Sequence, residues 1–176
     1  MELVPGFVGL LQGLSDTMTA PTFASWTTIV TGWVFAGRRT VTRMILAVGD
    51  GADKHFSSYH RVFSAARWSL DALGLAVFDL MQPFLPAVVM LALDDTLARK
   101  RGLKMFGAGM HHDPLLSSRS KVITNWGHSW VVLGVIVELP FRRGHYYCLP
   151  ILFRLHLNKK SARKHRRAYR TRPELA

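Results

Sequence analysis

The spacing of apolar residues divides the chain into a helical part and a β-rich part. Over roughly the first eighty residues, apolar positions recur at helical spacing. Breaks fall at Pro5, Pro21, the Gly49-Asp50-Gly51 segment and Pro83, because proline and glycine interrupt regular structure. The pattern predicts roughly three or four short helices in this part of the chain.

One of these predicted helices has a basic side. Arg39 and Arg43 stand four residues apart, so we expect both on one face of the helix. Val41, Ile45 and Val48 would then turn toward a core.

The next two helices are predicted from their starts. One begins near Ser57 and Ser58, whose hydroxyls can cap a helix, and continues to Trp68. Ser69 and Asp71 resemble the cap of the helix that follows.

After Pro86 the helical spacing gives way to short apolar runs. Residues 87–93 form a continuous apolar run, which is typical of a strand covered on both faces. We expect this strand to end at Asp94 and Asp95, and a polar loop to follow from 97 to about 120.

Two further runs, 121–126 and 130–139, predict strands joined by a hairpin turn at Gly127-His128, and Pro140 would stop the second strand. Residues 146–157 are apolar, but their periodicity leaves helix or strand open. Near the end of the sequence, Thr171 and Pro173 resemble a helix start.

Charge points to a polyanionic partner such as DNA, RNA or an anionic membrane. The 176 residues contain 23 Lys and Arg against 11 Asp and Glu, a formal net charge of +12. Eight of these cations lie within residues 159–172, and the rest of the chain has 15 against 11. The single Cys148 excludes a disulfide framework and a multi-thiolate zinc site, and it suits a reducing cytoplasm.

Residues 17–37 are uncharged and have the length of a membrane span. Their six threonines and Pro21 make a poor span, so we do not expect a membrane anchor. A small membrane-associated protein that uses this segment as its anchor is an alternative.

The acid pair after the apolar run is the candidate for chemistry. A buried strand that delivers a carboxylate can hold a divalent metal rigidly, as phosphodiester cleavage with two metal ions requires. Side chains alternate along a strand, so Asp94 and Asp95 should point to opposite faces. The alternative is that the pair caps a helix or meets solvent.

Other polar motifs are weaker candidates. His111-His112-Asp113 lacks the spacing of a zinc site and is predicted to be a polar loop. Gly107-Ala108-Gly109 lacks the third glycine and the βαβ setting of a dinucleotide site. Glu138 is expected at a solvated strand end.

Several segments in order resemble bacterial insertion-sequence transposases of the DDE superfamily endonuclease type. They are 38–43 (RRTVTR), 58–64 (SYHRVFS) with 66–69 (ARWS), 93–96 (LDDT), 104–114 (KMFGAGMHHDP) and 125–130 (NWGHSW). Their order and spacing, from about residue 31 to the last residue, make the match more specific than any single motif.

The resemblance implies an α+β fold: a helical amino-terminal region (1–84), the first three strands of an RNase H-like mixed sheet (85–157) and a basic linker (158–176). It implies that Asp95, which directly precedes Thr96, is the first catalytic acid and binds Mg²⁺, with Asp94 as the near alternative. The family's second Asp and its Glu have no match here. The resemblance therefore implies a truncated or split transposase that does not cut DNA alone.

The expected partner is DNA, at transposon ends and targets, with no small-molecule substrate. A homo-oligomer, or a separate carboxy-terminal half, is a further expected partner. A non-catalytic DNA-binding fragment that competes with full-length transposase is the main alternative, and a solvated linker is the alternative for the basic run. The predicted DNA-binding residues are Arg38, Arg39, Arg43, Arg61, Arg67, Lys159, Lys160, Arg163, Lys164, Arg166, Arg167 and Arg170.

Overall fold

The computed structural model describes residues 5–102 and 104–176, which form two compact units. The first ends at Leu80 and the second spans Met81–Ala176. Among the described residues, helices make up the first unit, and a four-stranded sheet with two short α-helices makes up most of the second. The predicted α+β class, with helices ahead of the sheet, is confirmed.

Five α-helices form the first unit in the part of the chain that the structure describes. They are α1 (Pro5–Gln12), α2 (Ala20–Phe35), α3 (Val41–Val48), α4 (Phe56–Ser64) and α5 (Leu70–Met81). The predicted breaks coincide with their ends, since Pro21 lies in the first turn of α2 and Gly49 follows α3.

The core of the helical unit lies where α2, α3 and α4 meet. Gly32 allows the closest approach, because a Cβ at this position would collide with the backbone carbonyl of Met44 on α3. The buried apolar residues of this core are Ile29, Ala36, Met44, Ile45, Tyr59 and Val62.

Helix boundaries differ from the prediction where capping side chains fix them. Thr40 Oγ1 accepts from the Arg43 amide at 3.4 Å, so α3 starts at Val41. Arg39 therefore precedes α3, and the helical face that we predicted for Arg39 and Arg43 is wrong. The Arg39 guanidinium instead lies 5.1 Å from the centre of the Trp33 ring.

The starts of α4 and α5 follow the same rule. His55 Nδ1 accepts from the Ser57 amide at 3.3 Å, so Ser57 and Ser58 lie inside the first turn of α4 instead of capping it. This helix ends at Ser64, short of the predicted Trp68. The predicted cap of α5 is confirmed, since Ser69 Oγ accepts from the Ala72 amide at 3.2 Å.

The uncharged segment 17–37 contains α2, which is 16 residues long. None of the helices in residues 5–102 and 104–176 has the length and apolar character needed to cross a membrane.

The sheet of the second unit is built around one long strand. Its strands are β1 (Met90–Arg99), β2 (Gly109–His112), β3 (Thr124–Glu138) and β4 (Tyr146–His156). Val131 of β3 pairs with Asp95 on one side and with Arg154 on the other, so β1 and β4 flank β3. All pairings in the described residues are antiparallel. The segment at 146–157, for which the sequence left helix or strand open, forms the strand β4.

β1 differs from the predicted strand in extent and in burial. It begins at Met90 and continues through Asp94 and Asp95 to Arg99, because it pairs with β3 over its full length. The acids are therefore inside the strand, and the prediction that they end it is wrong. Leu91 and Leu93 are 56% and 50% exposed, so the strand is not covered on both faces.

Gly127 and His128 do not form a hairpin turn but lie within β3, so the predicted hairpin is wrong. Glycine is needed at position 127 because the backbones of β1 and β3 approach each other closely there. A Cβ at Gly127 would collide with the backbone carbonyl of Ala98 on β1. β3 ends at Glu138, two residues ahead of Pro140, as predicted.

The basic segment at 158–176 is structured rather than a linker. It forms α6 (Lys159–Lys164) and α7 (Arg172–Leu175). Asn158 caps α6, and the buried Ser161 donates to the Ala108 carbonyl at 3.2 Å, which attaches α6 to the chain next to β2. The predicted helix start at Thr171 is confirmed, since its amide donates to the Glu174 carboxylate at 2.6 Å.

We predict that Gly127→Ala destabilises the second unit by about 1–3 kcal/mol, because the added methyl group forces β1 and β3 apart. Gly37→Ala is the control, since nothing lies within 4 Å of a Cβ at Gly37. Urea unfolding followed by circular dichroism measures both changes. Equal stability of the two variants would contradict the close approach of β1 and β3.

Candidate functional site

The two acids of β1 lie on opposite faces of the sheet, as predicted from the alternation of side chains. Asp95 pairs with Val131, which in turn pairs with Arg154, so these three side chains share one face. Asp94 pairs with Val132 and belongs to the other face. The Asp94 carboxylate accepts from the Asp95 amide at 2.8 Å.

The Asp95 carboxylate is paired with a cation from α7. Arg172 Nε lies 3.1 Å from Asp95 Oδ2 and also donates to Ser129 Oγ at 3.2 Å. The Asp95 and Arg172 side chains are 43% and 37% exposed, so solvent screens the attraction. The carboxylate is therefore within reach of solutes, and a positive group already occupies one of its oxygens.

Two buried histidines lie near this pair. His156 of β4 pairs with Ser129, and its ring centre is 5.8 Å from that of His111 on β2. Both residues are buried, at 5% exposure for His111 and 8% for His156. His111 Nε2 and His156 Nδ1 have no hydrogen-bond partner in the described part of the chain.

Burial is the main reason why the pKa values of both His111 and His156 lie below the usual 6.5. The neighbouring His156 and then Arg172 lower the pKa of His111 further, and Arg172 also lowers that of His156. Asp95 acts in the opposite direction on His156. The two rings are therefore neutral near pH 7.

The segment His111-His112-Asp113 is not a polar loop, since the two histidines belong to β2 and Asp113 follows directly. Asp113 is buried and joins several parts of the unit. Its carboxylate accepts from Arg99 Nε and Asn125 Nδ2, each at 2.8 Å, and from the amides of Leu115 and Leu116. The Arg99 hydrogen bond is the largest cause of its lowered pKa. These contacts give Asp113 a structural role.

The predicted DNA-binding residues of the helical unit are exposed but lie on different elements. Arg38 and Arg39 precede α3, Arg43 is in its first turn, Arg61 is in α4 and Arg67 follows α4. Arg39 and Arg43 do not share the helix face that we predicted for them, because α3 starts at Val41.

The cations of the carboxy-terminal segment are concentrated on α6. Four of them line a shallow depression of about 490 Å³, namely Lys159, Lys160, Arg163 and Lys164. Arg166, Arg167 and Arg170 are exposed in the connection to α7. The Lys159 ammonium group lies 5.5 Å from the Tyr169 ring centre, which holds this connection against α6.

Sequence reasoning missed Arg172, Ser129 and His156 as neighbours of Asp95. Arg172 was counted only as one of the basic residues, and its position between Thr171 and Pro173 indicates only a helix start. The contact with Asp95 depends on how α7 meets the sheet, for which the sequence carries no local signal.

We predict that the second unit loses stability as the pH falls through 6.5. The unfolded chain binds protons at its histidines near 6.5, whereas folded His111 and His156 bind them only at lower pH. Urea midpoints at about pH 7.5 and about pH 5.5 measure the loss. The double variant His111→Gln and His156→Asn should show a smaller difference, and the exposed His145→Asn should not. An unchanged pH dependence in the double variant would contradict the assignment.

Comparison with known proteins identifies the family. The model of the DDE superfamily endonuclease family matches residues 13–176, which is nearly the whole chain. No curated protein and no solved structure matches this chain. The helices followed by an antiparallel sheet agree with an RNase H-like fold of this family. The chain belongs to the DDE superfamily endonucleases.

Proposed function

We propose that this chain is part of a DNA transposase in which Asp95 is the first metal-binding carboxylate. The observation that carries the proposal is the pairing of the partly exposed Asp95 carboxylate with a cation, with Arg172 Nε 3.1 Å from Oδ2. A carboxylate that attracts a guanidinium group at this place can also ligate a divalent metal ion.

The donor chemistry fits Mg²⁺ at Asp95 but supplies only one ligand. Carboxylate oxygens are the hard ligands that Mg²⁺ prefers, and Asp95 projects from a strand that is paired along its full length. When bound, Mg²⁺ would activate the attacking oxygen and stabilise the leaving one. Asp94 is on the other face, so we propose Asp95 as the ligand of the two.

Other acids in the unit are engaged elsewhere. Asp113 is buried and bound to Arg99 and Asn125, and the Glu138 carboxylate accepts from the Gly144 amide. Within residues 5–102 and 104–176, no three His, Cys, Asp or Glu side chains are grouped so as to hold a metal ion. Cleavage with two metal ions would therefore need carboxylates that the described residues do not place beside Asp95.

DNA is the substrate that the family implies, and the exposed cations support a backbone contact. The cations of α6 lie together without an acid among the residues that line their depression. Such a surface binds phosphates without reading the base sequence. The affinity falls as the salt concentration rises, because the release of counterions from the DNA then contributes less free energy.

A second candidate function is a DNA-binding protein that competes with a complete transposase for its ends. The pairing of Asp95 with Arg172 and the basic surface of α6 favour it, because both are compatible with binding without cleavage. Affinity for transposon-end DNA compared with random DNA separates the candidates, since a competitor has to prefer the ends.

We predict that Mn²⁺, a paramagnetic substitute for Mg²⁺, broadens the amide NMR signals of β1 and β3 around Asp95. Asp95→Asn should abolish the broadening, and the matched variant Asp94→Asn should retain it. Arg172→Gln should tighten Mn²⁺ binding by roughly two- to fivefold, because its guanidinium group no longer competes for the carboxylate. If Asp94→Asn lost the broadening and Asp95→Asn kept it, the metal ion would bind on the face of Asp94, and the proposal would be wrong.

We predict that the 176-residue chain does not nick supercoiled plasmid in the presence of Mg²⁺, because two metal ions need more ligands than the one carboxylate that the described residues place at this site. Gel electrophoresis of the plasmid measures nicking, and Asp95→Ala is the matched control for contaminating nucleases. Strong nicking that disappears in Asp95→Ala would show that the chain contains a complete site.

A further inference from the structure

We propose that a cleft between α2 and α4 in the helical unit binds a phosphodiester group of DNA. The cleft has a volume of about 270 Å³ and is open to solvent. It is lined by Pro21, Thr22, Ser25, Lys54, Ser58 and Arg61, with Val62 and Ala66 at its apolar side. This inference rests on the proposed function, in which DNA is the substrate.

Lys54 is held in place at the wall of the cleft. Its ammonium group donates to the Pro21 carbonyl at 3.3 Å and to Ser25 Oγ at 3.1 Å. Ser25 is buried and its hydroxyl in turn donates to the Pro21 carbonyl at 3.1 Å. An ammonium group has three donors, so one of them is left for a ligand. The lysine is thereby ordered before any ligand binds.

The other polar groups of the cleft are also donors. The Arg61 guanidinium and the Ser58 hydroxyl have no hydrogen-bond or ion-pair partner among the residues that the structure describes. Thr22 Oγ1 accepts from the Thr19 hydroxyl at 3.0 Å, which leaves its own proton available. Two cations and two hydroxyl groups therefore face a space that no acid lines.

This arrangement fits an oxyanion with several acceptor oxygens. Lysine binds phosphate as a point charge and arginine binds it through its planar fork, and hydroxyl groups complete the set. A cleft that is open to solvent can admit a phosphate that is part of a continuous backbone. A free phosphate ion has the same chemistry, and the experiment distinguishes the two sources.

The test uses a pair of variants with the same charge. Ser58→Asp places a carboxylate in the cleft, and Ser57→Asp places one beside it in the same turn of α4, where the residue does not line the cleft. An acid in the first turn is favourable for a helix, so both variants should fold. Fluorescence anisotropy with a labelled duplex of mixed sequence, in EDTA, measures affinity over a range of salt.

We expect Ser58→Asp to bind the duplex roughly three- to tenfold more weakly than Ser57→Asp at the same salt concentration. Arg61→Gln should lower the slope of log affinity against log salt by about 1, as for the loss of one phosphate contact. Arg119→Gln, on an exposed loop of the second unit, controls for the change of net charge. Circular dichroism of each variant confirms that it is folded.

The outcomes separate this inference from the proposed function. A wild-type chain that fails to bind the duplex at low salt would overturn DNA binding itself. Duplex binding with equal affinities of Ser58→Asp and Ser57→Asp would overturn only the cleft. If inorganic phosphate shifts the Ser58 and Arg61 amide NMR signals and the duplex does not, the cleft binds a free anion, and the assignment to DNA is wrong.

Discussion

The position of Asp95 depends on the pairing of β3 with strands on both of its sides. β1 pairs with residues 127–136 of β3, and β4 pairs with 129–138 on the opposite edge. This double pairing fixes the register of β1, and a shift by one residue would exchange the faces of Asp94 and Asp95. It also aligns Ser129 with His156, so that the neighbours of the carboxylate come from three strands and a helix. The chemistry of the face is therefore a property of the whole sheet.

The surroundings of Asp95 combine one exposed ion pair with two buried, neutral histidines. Arg172 and Asp95 are near the surface, whereas His111 and His156 are buried with lowered pKa values. Neutral imidazoles avoid the cost of burying charge beside a guanidinium group. Asp113 carries its charge in the interior, where four donors satisfy it. The unit thus keeps one carboxylate for its structure and another within reach of solutes.

Much of the fold was predictable from local signals, and the errors in the second unit have a common physical cause. Proline and glycine marked the helix ends, Ser69 marked the start of α5, and the apolar run led to the acids. The same signals failed at Gly127, because glycine serves a tight turn and a close strand approach equally well. β1 continued past its apolar run because pairing with β3 sustains it, and the contact of Arg172 with Asp95 joins residues that are distant in sequence. Nonlocal pairing decided each case.

The outer edge of β1 has no partner strand in the described residues, and this has a consequence for any protein that binds there. A strand laid along this edge would hydrogen-bond to the backbone groups that β3 does not use. Its side chains would then stand next to those of β1, in the same row as Asp95. A partner that covers this edge would therefore change the immediate surroundings of the Asp95 carboxylate, so the binding of that partner and the binding of any ligand at Asp95 would be thermodynamically linked.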